Sequence, residues 1–89
     1  MKRLHITVHG LVQGVFFRTS AQERAAELSL TGWACNDSGG NVSIVAEGAE
    51  ENLKAFLEWC YTGPRWARVE KVEFEWSEAT GKFSEFEIK

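Results

Sequence analysis

The apolar residues of this chain switch repeatedly between two spacings, and that switching limits the possible folds more than any other feature. Leu4, Ile6 and Val8 alternate with His5, Thr7 and His9, the period of a strand with one buried face. Phe17, Ala21, Ala25 and Leu28 then recur at steps of four, four and three, which predicts a helix from about Phe17 to Leu28 with Gln22, Glu23, Arg24 and Glu27 on its wet side. Period two returns in a strand from Trp33 to Asn36 and another from Asn41 to Glu47, joined by a glycine-bearing turn over Asp37 to Gly40. Leu53, Phe56, Leu57 and Cys60 make a second helical stripe, with Glu50 and Glu51 at the end of the helix dipole that favours negative charge. "YTGPR" closes that helix. Val72, Phe74 and Trp76 then alternate with Lys71, Glu73 and Glu75, and Phe86 with Ile88 forms a short last strand.

The order is strand, helix, strand, strand, helix, strand, strand. Right-handed crossovers put both helices on one face of a mainly antiparallel sheet, an α+β ferredoxin-like sandwich of βαββαβ pattern plus a short terminal strand. The alternation in the strands leaves the other sheet face to solvent. With 89 residues, a single proline and no repeat, linker or low-complexity stretch, one domain over residues 1–89 is expected.

Charge and composition remove several function classes. Thirteen acids against 10 bases give a net charge of -3, and no run of Lys or Arg is long enough to follow a phosphate backbone, so nucleic acid is not expected as a partner. "MKRLHITVHG" alternates where a signal peptide would run continuously apolar, and no apolar stretch reaches membrane-spanning length. A cytoplasmic monomer without membrane contact is expected. Cys35 and Cys60 lie far apart with no CxxC and no nearby histidine pair, which argues against zinc and for reduced thiols, with a disulfide between them left open.

One stretch carries chemistry. In "GLVQGVFFR", Gly10 to Arg18, a strand end and a helix start enclose a loop whose amides can converge beside the helix N-terminus, an arrangement that binds anions. Gly10 and Gly14 permit close backbone approach, Leu11, Val12 and Val15 bring no competing charge, and Arg18 offers a planar fork of donors to phosphate oxygens. By spacing alone the plainer reading is favoured: two glycines shape a connection and Arg18 makes an exposed salt bridge. The GK(S/T) ending of a Walker A loop is absent. Asn36, at the end of the second strand, can hold a water through one donor and one acceptor contact, or can simply begin the turn before "DSGG".

Taken together, "GLVQGVFFR" and "GWACNDSGGNVSIVAEG" resemble the two signatures of the acylphosphatase family, over nearly the whole chain. Gly10, Val12, Gln13, Gly14, Val15, Phe17 and Arg18 fit the first signature, and Gly32, Trp33, Asn36, Gly40, Val42 and Gly48 the second. The resemblance implies a metal- and cofactor-independent hydrolase that splits the carboxyl-phosphate bond of a small acyl phosphate into a carboxylate and inorganic phosphate. It implies further that Arg18 is the catalytic arginine on the phosphoryl group and that Asn36 orients the attacking water. The loop of Leu11, Val12, Gln13, Gly14, Val15, Phe16 and Phe17, with Arg18, is then the phosphate-binding segment. A carboxamide is no base at neutral pH, so Asn36 is expected to position water while the phosphate accepts the proton.

The chain departs from the family pattern at Leu11 and Cys35, where basic residues are common, so weaker phosphate affinity is expected. Cys35 does not precede a phosphate loop and has no matched downstream arginine, so it reads as a small strand residue rather than a nucleophile. His5 and His9 are expected in solvent, the four tryptophans in packing with Trp66 a candidate for exposure, and Glu50, Glu51 and Glu58 on a solvated face. The alternative from another class is a non-catalytic phosphate- or ligand-binding ferredoxin-like module, which would keep the loop and Arg18 but need no Asn36.

Overall fold

The computed structural model describes residues 1–89. Its elements run β1 (Lys2–Leu11), α1 (Phe17–Glu27), β2 (Thr31–Asn36), β3 (Val42–Gly48), α2 (Glu50–Cys60), β4 (Arg68–Glu78) and β5 (Phe86–Ile88). The five strands form one sheet in the order β4-β1-β3-β2-β5. β1 pairs antiparallel with β3 and β4, and β2 antiparallel with β3, so β1 and β2 run parallel with β3 inserted between them. That is the expected ferredoxin-like arrangement. The three-residue β5 adds to β2 in parallel, which makes the sheet mixed.

Both helices cover one face because their apolar stripes and the inward residues of the strands have the same partner. Leu4, Ile6 and Val8 of β1 and Val42, Ile44 and Ala46 of β3 are fully buried beneath Ala21 and Ala25 of α1 and Leu53, Phe56 and Cys60 of α2. Each large side chain so buried stabilises the fold by roughly 1.5–3 kcal/mol. An aromatic chain then ties the start of α1 to α2 and β5. The Phe17 and Trp59 centroids lie 5.2 Å apart, Phe56 and Trp59 5.9 Å, and Phe56 and Phe86 6.0 Å. This cluster fixes the end of α1 that carries Arg18.

The edges of the sheet differ from expectation. Phe74 shares a strand face with Val72 and Trp76, yet it is 46% exposed. β4 is an edge strand, and α2 packs over β1 and β3, so the helix layer stops short of Phe74. At the other edge Phe86 is buried but Ile88 is exposed. Gly10 also has a different role from the one its sequence suggested. It sits at a register shift in the β1–β4 ladder with φ 129°, and a β-carbon there would come 2.1 Å from the Arg68 carbonyl oxygen. Its close approach is to β4, not to a ligand, and β1 runs on through Leu11.

Residues 79–85 link β4 at one edge of the sheet to β5 at the other, and Glu47 anchors them. Its carboxylate, 4% exposed, accepts hydrogen bonds from the Thr80 amide (3.0 Å) and hydroxyl (2.9 Å) and from the Gly81 amide (3.0 Å), with Arg3 Nη1 at 3.6 Å. Burial pushes this carboxyl up, but the Thr80 and Gly81 donors and the Arg3 charge outweigh it and hold Glu47 below the usual carboxylate range. A depressed carboxyl stabilises the fold fully above its unfolded value of about 4.3, and the contribution is lost as pH falls through the lower folded value. Glu47→Gln is therefore expected to lower stability by about 1–3 kcal/mol at pH 7 in urea denaturation. The gap from wild type is expected to narrow at pH 3; a gap that widens in acid would contradict the anchor.

Candidate active site

Because β1 and β2 are parallel, their C-terminal ends open onto the same edge of the sheet, and the N-terminus of α1 returns there as well. The loop after β1, the last residue of β2 and the first turn of α1 consequently meet. They enclose a cleft of about 230 Å³ lined by Val12, Gly14, Phe16, Phe17, Arg18, Thr19 and Asn36.

The backbone of this loop is the most informative part of the site. The first amides of a helix have no intrahelical acceptor, and side chains or ligands can satisfy them. Here none of the amides from Val12 to Thr19 donates to a backbone carbonyl or a side chain. The first helical amide with a protein acceptor is that of Ser20, 3.0 Å from the Phe16 carbonyl oxygen. The cap residue Phe16 is left-handed, with φ 65° and ψ 24°, and contributes no side-chain cap. The first turn of α1 holds no acid, and no carboxylate lines the cleft. An unpaired row of amides at the positive end of a helix dipole, free of competing negative charge, has the chemistry to receive an anion.

Two features hold this loop in shape. Gly14 takes φ 75° in open space, so glycine is needed there for backbone conformation and not for room. The Gln13 carboxamide turns away from the cleft and donates to the carbonyl oxygens of Asp37 and Asn41, both at 2.9 Å. The loop is thereby pinned to the β2–β3 turn. Asp37 organises that turn itself: its Oδ1 accepts the amides of Gly39 (2.8 Å) and Asn41 (3.0 Å). The hydrogen bond from the Asn41 amide is the main reason the Asp37 carboxyl lies below its ordinary value.

Asn36 is thus relieved of turn duty. It ends β2 on the helix-facing side, in register with the buried Val42, and its exposed carboxamide bonds to no protein group. Arg18 pairs with no acidic side chain. Its Nη1 donates to the Lys89 carbonyl oxygen at 2.9 Å, while the Lys89 amide donates to Ala34 (2.8 Å) and the Lys89 ammonium lies 5.0 Å from the Trp33 ring. Lys89, directly after β5, therefore braces the guanidinium from outside the cleft.

Of the segment expected to bind phosphate, Val12, Gly14, Phe16, Phe17 and Arg18 line the cleft. Leu11, Gln13 and Val15 do not. Leu11 is the last residue of β1, paired with Arg68 and 54% exposed, and Val15 packs on the core. Thr19 was not signalled by any motif and enters the cleft only because the helix starts at Phe17. Cys35 faces the sheet side opposite Asn36, in register with Ser43; Cys60 is buried in the core, with its thiol pushed up by burial, and both are free. His5 and His9 lie on that same open side of the sheet, against Ser43 (3.3 Å) and Glu73 (2.6 Å). No group of three or more His, Cys, Asp and Glu side chains is disposed to hold a metal ion. No helix is long and apolar enough to cross a membrane.

Comparison with known proteins bears on the chain as a whole. Residues 4–88 match the acylphosphatase family. The chain is 48% identical over 88 residues to an acylphosphatase of Methylococcus capsulatus, covering 99% of this chain and 96% of that one. It is 43% identical over 86 residues to an acylphosphatase of Pelotomaculum thermopropionicum, covering 97% and 94%. The chain belongs to the acylphosphatase family. Its fold superposes on the crystal structure of the Bacillus subtilis acylphosphatase with a TM-score of 0.96 at 35% identity, over 100% of this chain and 99% of that one. Within the acylphosphatase frame the paired signatures of the sequence fall on either side of one cleft, the first supplying the loop and Arg18, the second Asn36.

Proposed function

We propose that this chain hydrolyses acyl phosphates, with the phosphoryl group held on the amides of the Val12–Thr19 segment, clamped by Arg18, and attacked by a water that Asn36 orients. The unpaired amide row beside Arg18 carries this reading, because it runs from the loop into the first turn of α1 along a cleft that no carboxylate lines.

The reaction needs little more. Phosphoryl transfer passes through a loose transition state in which positioning and charge stabilisation do most of the catalysis. Water oxygen forms a bond to phosphorus as the bond from phosphorus to the acyl oxygen breaks, and the electron pair leaves with the carboxylate. Its conjugate acid has a pKa of about 4 to 5, so no general acid is required at neutral pH. No base lines the cleft, and the surplus proton of the water passes to a phosphoryl oxygen. A dianionic acyl phosphate and water thus yield a carboxylate and monoanionic phosphate, with charge and atoms balanced. Amides and Arg18 supply the positive field, so turnover is expected without a divalent cation.

A non-catalytic phosphate-binding module would keep the amides and Arg18 but has no use for a free carboxamide at the cleft. The two readings separate in one assay. Phosphate release from acetyl or benzoyl phosphate with a chelator present is expected to exceed the uncatalysed rate by several orders of magnitude. Phosphate binding with no release would leave the binding module as the answer.

A further inference from the structure

The amides and Arg18 define where the phosphate sits, and the acyl half of the substrate must lie outside them at the mouth of the cleft. Phe16 occupies that mouth. It is 71% exposed, lines the cleft and is held in the left-handed region at φ 65°. A β-carbon disfavours that conformation, which glycine or asparagine adopts more readily, and a helix cap is ordinarily a small polar residue that bonds to the free amides. Phe16 does neither of these things.

The ring is not placed there for packing. Its neighbour Phe17 is 1% exposed and supplies the contact with Trp59. Val12, the other apolar side chain lining the cleft, is also 1% exposed. Single exposed apolar residues are ordinary on protein surfaces. Here exposure coincides with a strained backbone at a candidate active site, the kind of place where strain is retained for function. Phe16 consequently provides the one large, solvent-open apolar surface on the cleft.

We propose that Phe16 is a specificity-determining residue that selects acyl phosphates whose acyl group is apolar and planar, an aromatic acyl group above all, by stacking its ring on theirs. This rests on the hydrolase reading above. Offset or edge-to-face contact between two rings supplies a preference that a small aliphatic acyl group cannot match.

The test compares kcat/KM for benzoyl and acetyl phosphate in wild type, Phe16→Asn and Phe16→Leu. Asparagine accepts the left-handed backbone and removes the ring, whereas leucine keeps apolar area without aromaticity. The ratio between the two substrates cancels any general damage to the phosphate cup, and comparing that ratio between variant and wild type cancels their difference in intrinsic reactivity. That ratio is expected to fall about five- to tenfold in Phe16→Asn and by a smaller factor in Phe16→Leu. A ratio unchanged from wild type in either variant overturns the assignment of Phe16 and leaves the hydrolase reading standing. No phosphate release by wild type from either substrate overturns both.

Discussion

Arg18→Ala is expected to lower turnover of acetyl phosphate by about a thousandfold or more, in the range seen when a phosphate-clamping arginine is lost. It is also expected to weaken inorganic phosphate binding about ten- to a hundredfold, the worth of roughly 1.5–3 kcal/mol for hydrogen bonds to a charged group. Both losses follow from one placement. Arg18 lies in the first turn of α1, where Phe17 is locked against Trp59 and the guanidinium is braced by the Lys89 carbonyl oxygen. Its other donors are free for the planar, paired recognition of phosphate oxygens that lysine does not reproduce. Arg18→Lys is therefore expected to recover part of the binding and little of the turnover. Phosphate affinity equal in wild type and Arg18→Ala would remove Arg18 from the role of clamp.

Asn36→Ala is expected to separate the two properties that Arg18→Ala loses together. Turnover falls about a hundred- to a thousandfold, the usual loss when one positioned polar group is removed from a reacting centre. Phosphate affinity stays within about twofold, because the amides and Arg18 are untouched. The fold is expected to tolerate the change, since the Asn36 carboxamide bonds to no protein group and the β2–β3 turn is built by Asp37. Steady-state kinetics on acetyl phosphate and titration with inorganic phosphate distinguish the outcomes. A parallel loss of affinity and turnover would make Asn36 a phosphate ligand and not a water-positioning residue.

The helices were legible because period alone defines them: α1 begins at Phe17 and α2 ends at Cys60 as the apolar spacing requires. The split connection of the strands followed from element order. What lay beyond the sequence was mostly a matter of edges and partners. Phe74 alternates like a buried residue, and only its place on β4, outside the cover of α2, leaves it exposed. Three residues of β5 are too few for a period to reveal that they pair in parallel. In the sequence Gly10 reads as room for a ligand, because a glycine before a loop serves either purpose; its clash partner, Arg68, is distant in sequence.

The site divides in the same way. Arg18, Asn36 and the loop stand out in the sequence as residue types at the right spacing, while the contacts that hold them in place do not. Asn36 and Asp37 are adjacent and both suit a turn, and only the bonds from Gly39 and Asn41 show that Asp37 takes that task. Gln13 sits among the loop residues but ties the loop to the turn. The brace from Lys89 had no sequence signal, since it depends on β5 joining β2. Leu11 and Cys35, where the family commonly has basic residues, do not line the cleft, so any change they make to phosphate affinity acts through the field at a distance.

The most direct test of the amide cup is a backbone amide titration of the wild-type chain with inorganic phosphate, followed residue by residue in nitrogen–proton correlation spectra. The shifts are expected to concentrate on the amides from Val12 to Thr19, to saturate together, and to be reduced in Arg18→Ala at the same phosphate concentration. Saturable shifts centred elsewhere on the sheet, with that segment unmoved, would contradict the account.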